Sequence, residues 1–358
     1  MWLVHDYLTQ RGGAERVALS LTRAFPEAPL LTSLYEPELT FPEFEGVDVR
    51  TLSLNRIGAF RRNARAALPI LAPAFAARRI DDDLLCSSSG WAHLVRTTGR
   101  KIVYCHSPAK WLYRTADYLG NHPGVSRRVA LKALRSPLRV SDAWGARSAD
   151  EYVANSTFVA RQIEQTYGRT PRVVFPPVGV SADGATAPVD GIEPGYFLTV
   201  ARLLPYKSVG ETVEAFRSLP EHRLVVVGEG PMRDSLVRAN PANVRLLTVV
   251  DDAQLRWLYA NAAGLVAASR EDFGLTPVEA GAFGRPVVAL RWGGYLDTVV
   301  EDETGVLFDA ATPLAIADAV KRLVAADWDR ETICRHAERF SELRFIAEMR
   351  AVVADVHT

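Results

Sequence analysis

The second half of the chain places two cations and two carboxylates shortly after apolar segments of strand character. Arg202 and Lys207 lie five residues apart after one segment, and Glu271 and Glu279 lie eight residues apart after another. Arginine offers a planar fork and lysine a compact charge, so the two together suit a diphosphate. A carboxylate can accept hydrogen bonds from neighbouring hydroxyls, so Glu279 suits a ribose and Glu271 a second sugar. The alternative for the cations is two solvated surface charges.

The residues between the two glutamates predict a turn into a helix. The backbone amides of Phe273–Thr276 are expected to form a concave anion site. Thr276 also has the type expected of a helix N-cap, with Pro277 at the first helical position and Glu279 at the third. This capping box is the structural alternative to a ribose contact for Glu279.

The first half of the chain contributes a glycine pair and a histidine. Gly12 and Gly13 follow the first apolar segment, where small residues let the backbone approach an anion at a helix N-terminus. The alternative is a plain tight turn. His106 follows another apolar segment and precedes the aromatic residues Trp111 and Tyr113, which suit stacking on sugar rings. This setting favours a functional histidine over a structural one.

Two other motifs indicate other chemistry only superficially. Gly228 and Gly230 follow an apolar segment, but Arg233 stands where a dinucleotide fingerprint has its third glycine. A turn with Pro231 at the first helical position is therefore the favoured interpretation, and a dehydrogenase loses its main support. Asp81–Asp83 precede an apolar segment, so we interpret them as a connection into a strand rather than as a metal-binding motif.

The elements that must position these residues alternate regularly. Short apolar segments separated by amphipathic ones predict βαβ units with parallel sheets, in two doubly wound Rossmann-like α/β domains that face a central cleft. Ligands are then expected at the carboxyl ends of the strands, between the domains. The predicted parts are a first domain over 1–180, a linker over 181–195 and a second domain over 196–339. The stretch from about 328 to 356 is predicted to be helical throughout, and its end, about 340–358, could pack on the first domain.

Length and composition exclude several classes of protein. The 358 residues suffice for two domains, and 48% hydrophobic with 23% charged residues excludes a disordered chain. The sequence has neither an apolar run of about 18 residues nor a secretory signal pattern. The three cysteines form no pattern typical of disulfides or zinc, which favours a cytoplasmic protein.

The charge is zero overall but unevenly distributed. Residues 1–180 hold 24 Lys/Arg against 16 Asp/Glu, and residues 181–358 hold 18 against 26. Residues 56–79 carry six arginines and no acid, and residues 125–140 carry five cations and no acid. Interleaved apolar residues make these segments suitable for an anionic membrane surface, at the inner face of the cell membrane. The alternative is a solvated cationic face. No nucleic-acid-binding module is recognisable, so nucleic acid is not an expected partner.

The order of these motifs resembles that of a known family. Gly12-Gly13, the CHSP sequence around His106, ARLLPYK from Ala201 to Lys207, GEGP at 228–231 and the pair Glu271 and Glu279 occur in the order seen in retaining glycosyltransferases of the GT-B fold, family 4. Within that family, the stretches VHDYLTQRGGAERV and YCHSPAKWLYRTADYL are similar to mannosyltransferases of bacterial polysaccharide and O-antigen assembly.

The resemblance implies a role for each matching residue. Glu279 would hold the donor ribose and Glu271 the transferred hexose, while the two cations neutralise the diphosphate without a metal ion or other cofactor. The chain departs from the family at Ser208, where glycine is common after the lysine. The catalytic positions that match are His106, Glu271, Arg202 and Lys207. The donor-binding positions that match are Gly12, Gly13, Arg202, Lys207, Glu271, Phe273, Gly274, Leu275, Thr276 and Glu279.

The expected function is transfer of a hexose, with retention, from a nucleotide sugar to a lipid-linked sugar or glycan acceptor. Mannose from GDP-mannose is the expected donor, in bacterial polysaccharide or glycoconjugate assembly. The alternatives are a UDP-sugar-dependent glycosyltransferase, a sugar-nucleotide epimerase of the same fold and a non-catalytic sugar-nucleotide-binding protein. Retention of both glutamates and both cations argues against the last.

Overall fold

The computed structural model describes residues 1–113 and 125–357. The chain forms two compact units. The first unit comprises Met1–Pro177 and Glu342–Thr358, and the second comprises Val178–Ser341. The C-terminal segment therefore belongs to the first unit although it follows the second in sequence.

The first unit is built on a parallel sheet, which has seven strands within the described residues. The strand order is β3-β2-β1-β5-β7-β8-β9, and a separate pair, β4 and β6, lies outside it. The strand order reverses between β1 and β5, and ligands commonly bind at such a point. The strands are β1 Trp2–His5, β2 Leu30–Thr32, β3 Val49–Thr51, β4 Arg79–Ile80, β5 Leu84–Ser88, β6 Arg96–Thr97, β7 Lys101–Cys105, β8 Glu151–Ala154 and β9 Arg172–Val173.

Helices pack on both faces of this sheet and bury two apolar clusters, as parallel sheets require. The C-terminal helix packs beside the first helix, where Arg23 Nη1 lies 2.7 Å from Glu342 Oε1. Phe345 of the same helix packs edge-on against Tyr104 of β7. The α-helices of the unit are Gly13–Ala24, Gly58–Arg62, Leu68–Ala76, Lys110–Tyr113, Val125–Arg147, Thr157–Tyr167 and Glu342–His357.

The second unit has its own parallel sheet, with six strands in the order β12-β11-β10-β13-β14-β15. In sequence order this is 3-2-1-4-5-6, the Rossmann arrangement, and the strand order reverses between β10 and β13. The strands are β10 Tyr196–Val200, β11 Leu224–Val227, β12 Val244–Leu247, β13 Ala262–Ala267, β14 Val287–Leu290 and β15 Gly305–Phe308. The α-helices are Val209–Arg217, Arg233–Ala239, Asp252–Asn261, Leu275–Ala282, Tyr295–Thr298, Pro313–Ala325 and Arg330–Glu338.

Each unit is thus a Rossmann-like α/β fold with a parallel sheet, which confirms the predicted fold class. The prediction of one continuous C-terminal helix is wrong. The stretch from 328 to 356 is two helices, because the chain leaves the first at Glu338 to bury Phe340 against Phe273. The Phe340 carbonyl accepts a hydrogen bond from the Val178 amide at 2.9 Å. Among the described residues, no helix is both long enough and apolar enough to cross a bilayer.

Candidate functional site

An ion pair joins the carboxyl ends of the two central strands of the second unit. Lys207, in the 3-10 turn after β10, donates to Oε1 of Glu271, which follows β13. The Ser269 hydroxyl donates to the same oxygen at 2.9 Å. Because β10 and β13 are adjacent parallel strands, their carboxyl-terminal loops meet where the strand order reverses. The structure thus brings together two residues that lie 64 positions apart in the sequence.

Arg202 lies beside this ion pair and is exposed. Its Nη2 donates to the Tyr206 hydroxyl at 3.3 Å, and Lys207 Nζ lies 5.2 Å from the centroid of the same ring. Tyr206 therefore lies between the two cations. We refer to Arg202 and Lys207 as the cationic pair. Both side chains face Tyr206, and Arg202 is exposed to solvent whereas Lys207 is only 12% exposed.

Ser208, the position at which the chain departs from the pattern of the resembled family, has a left-handed backbone conformation. Its φ is 51°, in the left-handed region, and it precedes the helix Val209–Arg217. A residue with a Cβ pays roughly 1–2 kcal/mol for this conformation. The chain thus adopts the turn that glycine favours although it has a serine there.

The helix that carries Glu279 starts earlier than the sequence predicts. It begins at Leu275, after Gly274 with a φ of 89°, so Thr276 is its second residue and Glu279 its fifth. The capping-box alternative for Glu279 is therefore wrong, because a capping glutamate must be the third residue. Glu279 is instead buried, and its Oε2 accepts a hydrogen bond from the Tyr259 hydroxyl at 2.6 Å.

The loop between the two glutamates lies directly on the residues that follow β14. A Cβ at Gly274 would overlap the Tyr295 ring, and a Cβ at Gly294 would overlap the backbone of Phe273. The Gly294 amide donates to the Glu271 carbonyl at 3.0 Å. The conformation of the loop is thus fixed by close backbone packing. A role for its amides in anion binding stays a prediction.

The GEGP motif supports the loop that carries Arg202. Side chains at Gly228 and Gly230 would overlap the carbonyls of Ala201 and Leu203, and the Leu203 amide donates to the Glu229 carbonyl at 2.7 Å. The glycines are therefore needed for close approach of two strand-end loops. The predicted start of the next helix at Pro231 is wrong, since that helix begins at Arg233.

The corresponding end of the first sheet carries a chain of neutral polar groups. His106 Nε2 lies 2.8 Å from the Ser87 hydroxyl, and the same hydroxyl lies 3.1 Å from His5 Nδ1. Ser87 lies in β5 and His5 in β1, and His106 directly follows β7; these three strands are neighbours in the sheet. Burial lowers the pKa of His5 to about 4, and burial together with the neighbouring His5 lowers the pKa of His106 to about 3. Both rings are therefore neutral near pH 7.

The glycine pair lies at the start of the helix Gly13–Ala24, in the same unit. Gly12 is its N-cap in an extended conformation, and the Glu15 carboxylate lies next to it. Gln10 Nε2 donates to Glu15 Oε1 at 2.9 Å. The Glu15 carboxylate thus lies near the helix N-terminus at which the sequence predicts that backbone amides contact a diphosphate.

The acidic and basic segments have partners that the sequence does not reveal. Asp82 binds the amino group of Met1 at 2.9 Å, and Asp81 binds Arg79 at 2.8 Å, before β5 begins. Arg61 pairs with Glu36 at 2.9 Å. Two arginines of residues 56–79 are thus matched by acids from outside that segment. The side chains of Arg65, Arg127, Arg128, Lys132 and Arg135 lie outside the described part of the structure.

Sequence reasoning missed the residues that hold the glutamates and the histidine in place, namely Tyr259, Ser269, Tyr295, His5 and Ser87. The signal available for Ser269 and Ser87 is their position at or just after an apolar strand. The two tyrosines lie within predicted helical or loop segments, and nothing in their spacing relates them to the glutamates.

Solved structures share the fold of this chain. The structure resembles the *Anabaena* protein described as "Alr3699/HepE in complex with UDP", with a TM-score of 0.72, 16% identity and coverage of 99% of this chain and 100% of that chain. It also resembles sucrose-phosphate synthase from *Thermosynechococcus elongatus*, with a TM-score of 0.70, 19% identity and coverage of 100% and 99%. These likenesses show a GT-B fold.

Two family models then match separate parts of the chain. Residues 11–183 match "Glycosyltransferase Family 4", and residues 191–340 match "Glycosyl transferases group 1". Each half of the chain is therefore similar to a glycosyltransferase family model, and the two matched ranges do not overlap.

Curated relatives agree with this assignment but differ in what they are named for. The chain is 31% identical to a D-inositol 3-phosphate glycosyltransferase of *Xylanimonas cellulosilytica*, over 59% of this chain and 57% of the relative. It is 36% identical to a glycogen synthase of *Thermus thermophilus*, over 37% of this chain and 32% of the relative. It is 25% identical to the alpha-1,3/1,6-mannosyltransferase ALG2 of *Dictyostelium discoideum*, over 83% of each chain. The chain thus spans from a third to somewhat over half of the first two relatives.

Proposed function

We propose that this protein is a retaining glycosyltransferase that transfers a hexose from a nucleotide sugar without a metal ion. The observation that carries the proposal is the contact of Lys207 with Glu271 beside the exposed Arg202, at the point where the strand order of the second sheet reverses. A diphosphate needs cations and a sugar needs hydrogen-bond acceptors, and this arrangement offers both within one loop cluster.

The cationic pair neutralises the diphosphate as it leaves. Negative charge grows on the diphosphate when the glycosidic bond breaks, so contacts to it strengthen in the transition state and raise turnover. Glu271 accepts hydrogen bonds from the transferred hexose, and Glu279 accepts them from the ribose. Both glutamates are held in position by donors of the same unit.

His106 is the proposed contact of the first unit with the reacting sugar. A neutral imidazole can donate or accept a hydrogen bond without adding charge, and burial keeps His106 neutral near pH 7. The proposed reaction is a front-face displacement, in which the acceptor hydroxyl attacks on the side from which the diphosphate leaves. The acceptor oxygen forms the new bond to the anomeric carbon, its proton passes to the leaving diphosphate, and no protein nucleophile is required.

The proposed donor is GDP-mannose and the proposed acceptor a lipid-linked sugar or glycan. Similarity to the ALG2 mannosyltransferase over 83% of the chain supports mannose. The competing donor is a UDP-sugar, since a structural neighbour is described in complex with UDP-glucose. A sugar-nucleotide epimerase is a further alternative, distinguished by turnover of the donor without any acceptor.

We also propose a peripheral contact with the cytoplasmic face of an anionic membrane. The supporting observation is that Arg56, Arg62 and Arg78 are exposed, with the apolar side chains of Ile57 and Ile70 also exposed in the same segment. Basic residues together with apolar ones suit an anionic lipid surface.

The test is incubation with a panel of labelled nucleotide sugars, with and without a bacterial lipid extract. We expect label from GDP-mannose to enter the lipid fraction only when the extract is present. Transfer from a UDP-sugar instead would support the competing donor. Conversion of the donor to its epimer without extract would contradict a glycosyltransferase.

A further inference from the structure

Two buried tyrosines of the second unit direct their hydroxyls towards the two glutamates of the candidate site. Tyr259 is fully buried in the helix Asp252–Asn261, and Tyr295 is 1% exposed at the start of the helix Tyr295–Thr298. Burial raises the pKa of both hydroxyls well above 10. Each hydroxyl therefore keeps its proton and can act as a donor throughout the pH range of an enzyme assay.

Tyr259 acts on Glu279 directly. Its hydroxyl donates to Oε2 of the carboxylate at 2.6 Å, within a buried environment. The Tyr259 ring also stacks on Phe283 at 5.6 Å between centroids, and Phe283 is the C-cap residue of the helix that carries Glu279. The ring therefore fixes the position of the hydroxyl relative to the helix that carries the glutamate.

Tyr295 acts on Glu271 through Ser269. The Ser269 hydroxyl has one proton and donates it to Glu271 Oε1 at 2.9 Å. Its 2.9 Å contact with the Tyr295 hydroxyl must then use the tyrosine as donor. Lys207 donates to the same carboxylate oxygen from the other strand-end loop. Lys207 and Ser269 thus both donate to Oε1, and the Ser269 hydroxyl itself accepts a hydrogen bond from Tyr295.

The ring and the hydroxyl of Tyr295 have separable roles. The ring lies where a side chain at Gly274 would be, so it supports the turn between the glutamates. The hydroxyl reaches Ser269 and thereby Glu271. Replacing the tyrosine with phenylalanine removes the second role and keeps the first.

We propose that Tyr295 and Ser269 position Glu271 for the transferred sugar, and that Tyr259 positions Glu279 for the ribose. Neither tyrosine contacts substrate, and each acts through the glutamate that it orients. The proposal rests on the proposed function of the two glutamates. It predicts that the two tyrosines affect different kinetic constants, because the hexose contact bears on the chemical step and the ribose contact on donor binding.

The experiment compares Tyr295→Phe, Ser269→Ala and Tyr259→Phe with Tyr196→Phe as the matched control. Tyr196 is another buried tyrosine of the same unit, and its hydroxyl donates to the Leu258 carbonyl at 2.8 Å rather than to a glutamate. For each variant, kcat and KM for the donor are measured with the donor that the wild type uses, and thermal unfolding is recorded in parallel.

We expect Tyr295→Phe and Ser269→Ala each to lower kcat about tenfold with little change in KM. Tyr259→Phe should raise the donor KM about fivefold with little change in kcat. Tyr196→Phe should change only the unfolding temperature. The double variant of Ser269 and Tyr295 should be no slower than the worse single variant, because both changes interrupt one chain of hydrogen bonds.

A wild type that transfers no sugar from any donor would contradict the proposed function itself. With an active wild type, the positioning roles would be overturned if Tyr295→Phe and Tyr259→Phe behaved like Tyr196→Phe. They would also be overturned if the effects of Ser269→Ala and Tyr295→Phe on kcat simply multiplied in the double variant.

Discussion

The carboxyl ends of the two sheets carry polar clusters of opposite character. In the second unit the cluster is ionic, with Lys207 paired to Glu271 and Arg202 exposed beside them. In the first unit it is neutral, with His5 and His106 linked through a serine hydroxyl. Similar sheets thus present different electrostatics at equivalent places.

Burial accounts for the difference. Burial lowers the pKa of both His5 and His106, and the neighbouring His5 lowers the pKa of His106 further. Lys207 is 12% exposed and has a carboxylate partner, so its charge is compensated. A charged cluster suits a diphosphate and a neutral one suits sugar hydroxyls. The predictions below probe each cluster in turn.

Loss of Lys207 should have the largest effect. Lys207→Ala removes a donor to an oxyanion that develops in the transition state, so turnover should fall about a hundredfold, with a smaller change in donor KM. The control is Lys321→Ala, which removes an exposed lysine of the helix Pro313–Ala325. Steady-state kinetics of both variants check this. A Lys207→Ala enzyme that loses only donor affinity would limit Lys207 to ground-state binding.

Loss of Glu279 should weaken donor binding about tenfold or more, since the ribose hydroxyls then lose their acceptor. Glu279→Ala should also lower stability by about 1–3 kcal/mol, because the buried Tyr259 hydroxyl loses its partner. Calorimetric titration with the nucleoside diphosphate, below the unfolding temperature, separates the two effects. Glu331→Ala, at an exposed position, is the control. Reduced stability with unchanged binding would assign Glu279 a purely structural role.

The histidines of the first unit should make stability depend on pH. Their pKa values lie below 6.5 in the folded protein, so the unfolded chain binds more protons, and stability falls as pH drops from about 7 to 5. Each should contribute about 1–2 kcal/mol to that fall. Asp6 has the opposite effect on stability as the pH drops, because burial raises the pKa of its carboxyl.

Urea unfolding at pH 7 and pH 5 checks this, with His5→Asn compared to the wild type. The variant should lose less stability between the two pH values, by about 1–2 kcal/mol. An equal loss in wild type and His5→Asn would show that His5 is protonated as readily in the folded protein as in the unfolded chain.

The smallest expected effect concerns the membrane contact. Arg62→Ser removes one exposed charge from residues 56–79, so binding to liposomes with anionic lipid should weaken about fivefold at low salt. Arg238→Ser makes the same charge change at an exposed position of the second unit and should leave binding unchanged. Liposome sedimentation measures both. Equal binding to neutral and anionic liposomes would contradict the proposed contact.

Much of the fold follows from the sequence, because buried parallel strands are short, apolar and separated by amphipathic helices. The unbroken apolar run Leu224–Val227 forms a strand, and the helix Pro313–Ala325 has a proline at its first position, where proline is tolerated. The strand Val49–Thr51 was not predicted because it lies at the sheet edge and two of its three residues are exposed. The helix break near Phe340 was missed because its cause is a contact with Phe273, far away in sequence.

The candidate site was only partly predictable for the same reason. Charged residues after strands stand out in sequence, so the sequence alone predicts that Lys207 and Glu271 belong to the site. The sequence does not predict where the helix that carries Glu279 begins, because that start depends on Gly274 packing against the Tyr295 ring. The tyrosines that orient the glutamates are indistinguishable in sequence from ordinary core residues.

The central claim is that the cationic pair of the second unit neutralises the leaving diphosphate without a metal ion. The most direct test is the rate of sugar transfer by the wild type and Lys207→Ala, each with excess EDTA and then with Mg²⁺ or Mn²⁺. The account predicts an unchanged wild-type rate in EDTA, and a Lys207→Ala rate about a hundredfold lower in both conditions. A wild type that loses activity in EDTA and regains it with the metal ion would contradict the claim.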